Sequence, residues 1–159
     1  MNRWIKRIVA IGVAVGALFV GLLLMLSSIG HSRGVRAVVP QASSLIASRI
    51  AGADYVDAYR ITVAPGRFRN LDDVVAAAFQ KGRQVDRNAT EVVYEDRAPG
   101  LVFYVAYQLD PEGGQSTLTM TTVVRYTSSA GRAYFAVVKP VHQRGVPFMV
   151  SRMVRVAMD

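Results

Sequence analysis

The chain has 159 residues, 52% hydrophobic and 19% charged, so it is long enough for one folded domain and too apolar for a disordered linker. It contains no cysteine, which excludes disulfides, thiolate metal sites, iron–sulfur clusters and a cysteine nucleophile. The formal charge is +8, but from residue 37 onward 14 basic and 11 acidic residues leave a net charge of only +3. Because no nucleic-acid-binding motif accompanies this modest charge, we expect no nucleic-acid partner.

An apolar run near the amino terminus extends from Ile8 to Ile29 without a charged residue. As a helix its 22 residues would span roughly 33 Å, enough to cross the hydrocarbon core of a bilayer. We therefore predict a transmembrane anchor over residues 1–30 that contacts the lipid bilayer through residues 8–29. A signal peptide cleaved before His31 is the alternative, and the length of the apolar run favours the anchor.

The charges beside this run indicate its orientation. Three basic side chains precede the run and two follow it, which favours a cytoplasmic amino terminus under the positive-inside rule. We expect a single-pass protein of a bacterial inner membrane with its C-terminal domain outside the cytoplasm. Gly12 and Gly16 form a small-xxx-small pair, so a homodimer through the anchor is an open alternative.

The residues after the anchor divide into a tether and a domain. Residues 31–52 are rich in Ser, Arg, Gly and Ala, which predicts a tether with a short helix over 43–50. Residues 53–159 then form the predicted α+β domain, beginning with a strand over 54–63. Asn70 is a suitable N-cap for a helix over 70–80, because Asp72 and Asp73 follow in its first turn.

Four further segments alternate with the period of two that is typical of strands: 90–96, 101–109, 116–127 and 132–139. The turns between them are short and contain Gly, Pro or Ser, so the strands should be antiparallel neighbours. Segment 101–109 is apolar on both faces, which predicts a strand that is central or borders a pocket. Segment 116–127 has one apolar face and one threonine-rich face, which predicts a covered face and a wetted face.

The last segment, 146–158, returns to helical spacing and carries an apolar stripe. The predicted fold is therefore α+β: one curved antiparallel sheet packed on a long C-terminal helix, preceded by one transmembrane helix.

Three parts of the chain carry a family resemblance: ADYVDAYRI at 53–61, LTMTTVVRYTSSAGRAYFAVVKPVH at 118–142, and the closing amphipathic helix. They resemble the bacterial domain of unknown function 2867 family, to which the membrane anchor would be an addition. The most specific features are Gly131-Arg132, Tyr134, Pro140 and His142. This family is similar to the START-like helix-grip proteins. The resemblance implies an apolar cavity between the sheet and the C-terminal helix, and it implies no activity.

The sequence departs from the family at two places. Val141 occupies a position where the family has an aromatic residue, and the first helical region is shortened to 70–80. A shorter helical region implies a smaller lid over the cavity.

Several side chains of the predicted sheet and helix are candidates for lining this cavity. Arg125 and Arg132, predicted on strands joined by one turn, could approach a common partner, and one of them could bind a carboxylate or a phosphate headgroup bidentately. The structural alternative pairs Arg132 with Asp54 or Asp57 to fix the sheet. The other candidates are Phe103, Tyr107, Met120, Tyr126, Tyr134, Met149 and Met153.

His142 is the only histidine of the predicted domain, so any acid–base step by an imidazole must use it. The structural alternative is a histidine that satisfies backbone groups between a strand and a helix. The motifs G-x-S-x-G, H-E-x-x-H, the P-loop and G-x-G-x-x-G are absent, and we expect neither a metal nor a cofactor.

The function expected from these observations is binding of an apolar or amphipathic small molecule, or a lipid, between the sheet and the C-terminal helix. Two alternatives remain open. One is a non-catalytic protein-interaction or structural module at the bacterial membrane, and the other is a cyclase- or hydrolase-like enzyme that uses His142.

Overall fold

A computed structural model describes residues 34–155, except residues 79, 81 and 113 and the side chain of Glu112. The predicted anchor over residues 1–30 lies outside these described residues. Within residues 34–155, no helix has both the length and the apolar character that a membrane span requires.

The described part of the chain forms one antiparallel sheet of six strands with three helices. In space the strands follow the order β1-β2-β6-β5-β4-β3. This arrangement confirms the α+β class and the antiparallel sheet with a C-terminal helix. The strands are β1 (Arg36–Ala37), β2 (Tyr55–Val63), β3 (Arg83–Arg87), β4 (Glu91–Ala98), β5 (Leu101–Glu112) and β6 (Gln115–Tyr126), and the helices are α1 (Ala47–Ile50), α2 (Leu71–Ala78) and α3 (Ser129–Arg155).

The middle of the sheet agrees with the sequence pattern. β5 lies between β4 and β6, as expected for a strand that is apolar on both faces. Its pairing with β6 runs from Leu101 opposite Tyr126 to Glu112 opposite Gln115. Gly100 and Gly114 occupy the two hairpin turns at positive φ angles of 80° and 85°, which other residues rarely adopt.

The C-terminal helix α3 is longer than predicted, and the strand predicted over 132–139 is wrong, because those residues form the beginning of this helix. Phe135, Val146, Val150 and Met153 are buried at helical spacing. Phe135 is 0% exposed and its ring lies 5.0 Å from that of Tyr55. This burial outweighs the strand propensity of the run Tyr-Phe-Ala-Val-Val.

Two prolines lie inside α3. The predictions that Pro140 ends a strand and that Pro147 lies in the first turn of the last helix are both wrong. Each proline lacks the N–H that would bond to the carbonyl four residues before it, so both normally indicate a boundary. The helix continues through them because its inner face remains packed on the sheet.

The threonine-rich face of β6 is buried, so the prediction of a wetted face is wrong. Part of the cover comes from Arg60 on β2, whose Nε donates a hydrogen bond to Thr119 Oγ1 at 3.0 Å. Another part comes from α1 and its flanks, where Ile46 packs against Tyr104 and Val123. The segment that the sequence predicted as a tether therefore contributes to a second hydrophobic core.

Helix α2 begins as predicted. Asn70 Oδ1 accepts hydrogen bonds from the backbone N–H groups of Asp72 and Asp73 at 3.0 and 3.1 Å. The helix buries Leu71 and Val74 and packs against β5 and α3. It thereby closes one end of the space between the sheet and α3.

Candidate functional site

A groove of about 320 Å³ lies between the sheet and α3, with the end of α2 beside it. Its position follows from the alternation of the strands: every second side chain of β5 and β6 points toward the helix. Most of its lining is apolar, and the polar groups are few. The lining residues are Ala78, Gln80, Asp96, Phe103, Val105, Tyr107, Met120, Thr122, His142, Gly145, Val146 and Met149.

A larger hollow of about 560 Å³ lies at the edge of the sheet, where β1 pairs with β2. Gly34 and Arg36 form part of its wall, so it lies where the described chain begins. The groove beneath α3 is instead bounded by the central strands and two helices. We therefore place the candidate site in that groove.

A hydrogen-bonded group of three side chains adjoins one wall of the groove. His142 Nε2 lies 3.2 Å from Asp57 Oδ2 and 3.4 Å from Asp57 Oδ1. The hydroxyl of Tyr55 donates a hydrogen bond to Asp57 Oδ2 at 2.6 Å. Because a carboxylate only accepts hydrogen bonds, Nε2 of His142 donates to Asp57, which leaves Nδ1 as the nitrogen that can accept a proton when the ring is neutral.

The tyrosine hydroxyls near the groove remain protonated well above neutral pH. Burial raises the pKa of Tyr107 to about 12. Burial, followed by the negative charge of Asp57, raises the pKa of Tyr59 to about 12. The pKa of Tyr55 is raised further, by burial first and then by its hydrogen bond to Asp57. These three hydroxyls therefore act as hydrogen-bond donors and not as bases.

Thr122 is a polar residue on the sheet side of the groove. Its side chain is 2% exposed, and its Oγ1 has no hydrogen-bond partner among the described residues. On the neighbouring strands, Asp57 and Val105 lie directly opposite it. A buried hydroxyl without a partner is unusual, because it loses its bonds to water without replacement.

The structure brings five of the predicted candidates together in the groove. The lining includes Phe103, Tyr107, Met120, His142 and Met149. His142 lies inside α3, not between a strand and a helix, and its partner is a carboxylate instead of a backbone group.

The remaining candidates lie elsewhere. Met153 is buried in the adjoining core. Tyr126 packs against Phe135, with 5.9 Å between the ring centroids. Tyr134 is 48% exposed on the outer side of α3. None of the three lines the groove.

The two arginines lie on different elements, so the prediction that a strand turn joins them is wrong. Arg125 donates hydrogen bonds to the carbonyls of Arg49 and Ala51 at 3.0 and 2.7 Å, which holds the segment after α1 to the sheet. Arg132 is exposed on α3, with its guanidinium 5.7 Å from the ring of Tyr126. Its predicted alternative partner Asp54 instead accepts the N–H of Tyr126 at 2.7 Å.

Sequence reasoning missed Asp57 and Thr122 as site residues. Asp57 lies between Tyr55 and Tyr59 on one face of β2, and an acid within an aromatic row is a detectable signal. Thr122 gives a weaker signal, since it is one of several threonines in β6 and differs from them only by facing α3.

Part of the chain is similar to a known protein family. Residues 83–149, from β3 to within α3, match the family model described as a protein of unknown function, DUF2867. This match supports the resemblance drawn from the sequence over that segment. No curated protein matches the chain by sequence.

Two solved structures are similar to the chain at low identity. The crystal structure of TTHA0849 from Thermus thermophilus is 12% identical, with 66% of this chain and 100% of that chain covered and a TM-score of 0.38. The human StarD13 (DLC2) lipid transfer and protein localization domain is 13% identical, with 63% of this chain and 75% of that chain covered and a TM-score of 0.31.

Proposed function

We propose that this protein is a membrane-anchored domain that binds an apolar or amphipathic small molecule, or a lipid, in the groove between the sheet and α3. The observation that carries this proposal is the groove itself, a space of about 320 Å³ that the surrounding apolar side chains leave unfilled. Small-molecule sites enclose roughly 300–1,000 Å³. The groove lies at the small end of this range, which favours a ligand with one short apolar chain over a two-chain lipid.

Met149 supports the same proposal. This residue lines the groove and is also 43% exposed, so it lies at the opening. A methionine side chain is flexible and polarizable and adapts to differently shaped apolar partners. A ligand in the groove would cover this exposed apolar surface.

We also propose that the chain is attached to a membrane through residues 8–29. The predicted span ends at residue 29, and β1 begins at Arg36, so seven Cα-to-Cα steps of about 3.5 Å each would separate the sheet from the bilayer by at most roughly 25 Å. Helix α3 contains five basic residues and no acidic residue. Such a helix would be attracted to anionic lipid wherever the connecting residues let it come within about 10 Å of the head groups.

Titration calorimetry of the full chain held in amphipol, a polymer that replaces the bilayer, tests the binding function. The probes are 1-octanol, octanoate and octylamine, which share one short alkyl chain. We expect binding of at least one probe, with a tenfold or greater loss in Val105→Trp, because the indole would fill the groove. Val137→Trp adds the same bulk on the outer side of α3, where Val137 is 75% exposed, and should bind as the unchanged protein does. Absence of binding for all three probes would contradict the proposed function.

A second candidate function is acid–base catalysis, and the pairing of His142 with Asp57 favours it. With its ring oriented by a carboxylate, the basic nitrogen of His142 could remove a proton from water as the water attacks a carbonyl group. Hydrolysis of p-nitrophenyl octanoate, followed by absorbance, tests this function. His142→Gln should lower the rate about 100-fold or more. Val137→Ala changes an exposed residue of the same helix and serves as the control; equal rates in all three proteins would exclude an acid–base role.

A further inference from the structure

Building on the proposed function, we infer that the groove selects a ligand with a neutral hydrogen-bonding group, a hydroxyl or a carbonyl, which bonds to Thr122. This inference rests on an unpartnered threonine hydroxyl beside an apolar groove that has no lysine or arginine among its described lining residues.

The hydroxyl of Thr122 lacks a hydrogen-bond partner among the described residues. A hydroxyl that is buried without a hydrogen bond destabilises a protein, because its bonds to water are lost without replacement. Strand propensity does not explain a threonine at this position, because valine has the same shape and suits a strand as well. β6 itself continues with Val123 and Val124. A group on the ligand would supply the bond that the protein leaves unmade.

The side chains around Thr122 limit the charge of the ligand group that can bond to it. The described residues of the lining include no Lys or Arg, and the imidazole of His142 is already paired with Asp57. A carboxylate or phosphate bound at Thr122 would lose its water without gaining a cation, and Asp57 lies on the neighbouring strand. An anionic head group is therefore disfavoured.

A cationic head group at the same depth is also disfavoured. Both oxygens of Asp57 already have partners: Tyr55 and His142 contact Oδ2, and His142 also contacts Oδ1. Asp96 is exposed, so it lies where water screens its charge. A threonine hydroxyl both donates and accepts a hydrogen bond, which suits a neutral alcohol or carbonyl.

The experiment repeats the calorimetry on the full chain in amphipol at pH 8, where octanoate is anionic and octylamine is cationic. We expect 1-octanol to bind most tightly of the three probes. Thr122→Val should weaken octanol binding about 3- to 10-fold, the usual effect of one lost hydrogen bond. Thr122→Ser keeps the hydroxyl and should retain more of the affinity than the valine variant. Thr121→Val, on the opposite face of the same strand, is the matched control and should bind as the unchanged protein does.

The melting temperature separates binding from a structural role. If the hydroxyl serves the ligand, Thr122→Val without ligand should melt at the same temperature as the unchanged protein or higher, because an unpartnered polar atom is removed. Octanol affinity equal to that of the unchanged protein, or a lowered melting temperature with unchanged affinity, would overturn the inference. Tighter binding of octanoate or octylamine would also overturn it. In each of these cases an alkyl ligand still binds, so the proposed function is not contradicted. If none of the three probes binds, the proposed function itself is contradicted.

Discussion

The backbone of Gly131, in the first turn of α3, packs directly against the carbonyl group of Gly100 in the turn between β4 and β5. The same carbonyl accepts a hydrogen bond from the N–H of Thr127 at 2.8 Å. Ser128 Oγ accepts a hydrogen bond from the N–H of Gly131 at 3.1 Å, which fixes the start of the helix. These contacts attach the beginning of α3 to the sheet and so set the position of the whole helix over the groove.

Gly131→Ala should therefore destabilise the protein strongly. A Cβ at this position would overlap the backbone of Gly100, which cannot move without disturbing the hairpin. Overpacking of this kind costs about 1–3 kcal/mol, and the rigid neighbour places the expected loss at the upper end. Thermal denaturation of the full chain, followed by circular dichroism, measures the change. Ala130→Gly, at an exposed neighbouring position, is the control and should cost less than about 1 kcal/mol; equal losses in the two variants would refute the contact.

Phe135→Ala tests the register of α3 on the sheet. The ring of Phe135 contacts Tyr55, Phe103, Tyr126 and His142 at centroid distances of 5.0 to 6.5 Å. Removing a fully buried phenylalanine costs about 3–5 kcal/mol, measured as the free energy of unfolding in urea. Tyr134→Ala, the adjacent exposed aromatic residue, should change this free energy by no more than about 0.5 kcal/mol. If residues 132–139 formed a strand, the side chains of Tyr134 and Phe135 would lie on opposite faces of a sheet. Phe135 would then not contact both Tyr55 on β2 and His142 further along α3.

The wrong prediction of a strand over residues 132–139 has a physical reason. The run around Phe135 is rich in aromatic and β-branched residues, and Pro140 suggests an end, so local propensity favours a strand. The helical spacing becomes visible only when Phe135 is read together with Val146, Val150 and Met153, across two prolines. The central strands β5 and β6 are predictable because their alternation is long and their turns contain Gly and Pro.

Other features depend on contacts between residues far apart in sequence. The sequence pattern misses β3 because its five residues are mostly polar, as is common for an edge strand. It misses the burial of the threonine face because the cover comes from Arg60 and from the segment around Ile46. The apolar lining residues of the groove can be predicted from the alternation of side chains along each strand. The roles of Asp57 and Thr122 cannot, because they depend on which strands become neighbours in the sheet.

Glu91 connects the segment around α1 to the sheet, and its removal should loosen that segment. Its buried carboxylate accepts hydrogen bonds from the N–H groups of Leu45 at 2.6 Å and Ile46 at 3.2 Å. Hydrogen bonds to a charged group contribute about 1.5–3 kcal/mol each, so loss of both in Glu91→Ala should lower the free energy of unfolding by about 3–6 kcal/mol. Hydrogen exchange at Leu45 and Ile46 should also become faster.

Glu95→Ala is the control for this prediction. Glu95 lies on the same face of β4, but its carboxylate pairs with the exposed side chains of Arg97 and Arg83 at 2.9 and 3.6 Å. Ion pairs of this kind contribute about 1 kcal/mol or less. Unchanged hydrogen exchange at Leu45 and Ile46 in the Glu91 variant would show that the carboxylate does not hold this segment.

Tyr107 makes the stability of the protein depend on pH in the alkaline range. Burial raises its pKa to about 12 in the folded protein, whereas an exposed tyrosine has a pKa of about 10. The unfolded chain therefore loses this proton first as the pH rises. The contribution of Tyr107 is fully present below pH 10 and is lost between about pH 10 and 12, so the free energy of unfolding falls across this window.

Tyr107→Phe isolates this effect from the other groups that titrate at high pH. At pH 8 the variant should be less stable by about 1 kcal/mol, because the hydroxyl of Tyr107 donates a hydrogen bond to Gln80 Oε1 at 3.0 Å. Two pKa units correspond to about 2.7 kcal/mol, so this deficit should vanish or reverse as the pH approaches 12. Urea unfolding of both proteins at pH 8, 10 and 11.5 measures the difference. A deficit that stays constant over this range would mean that the hydroxyl of Tyr107 titrates in the folded protein as it does in the unfolded chain.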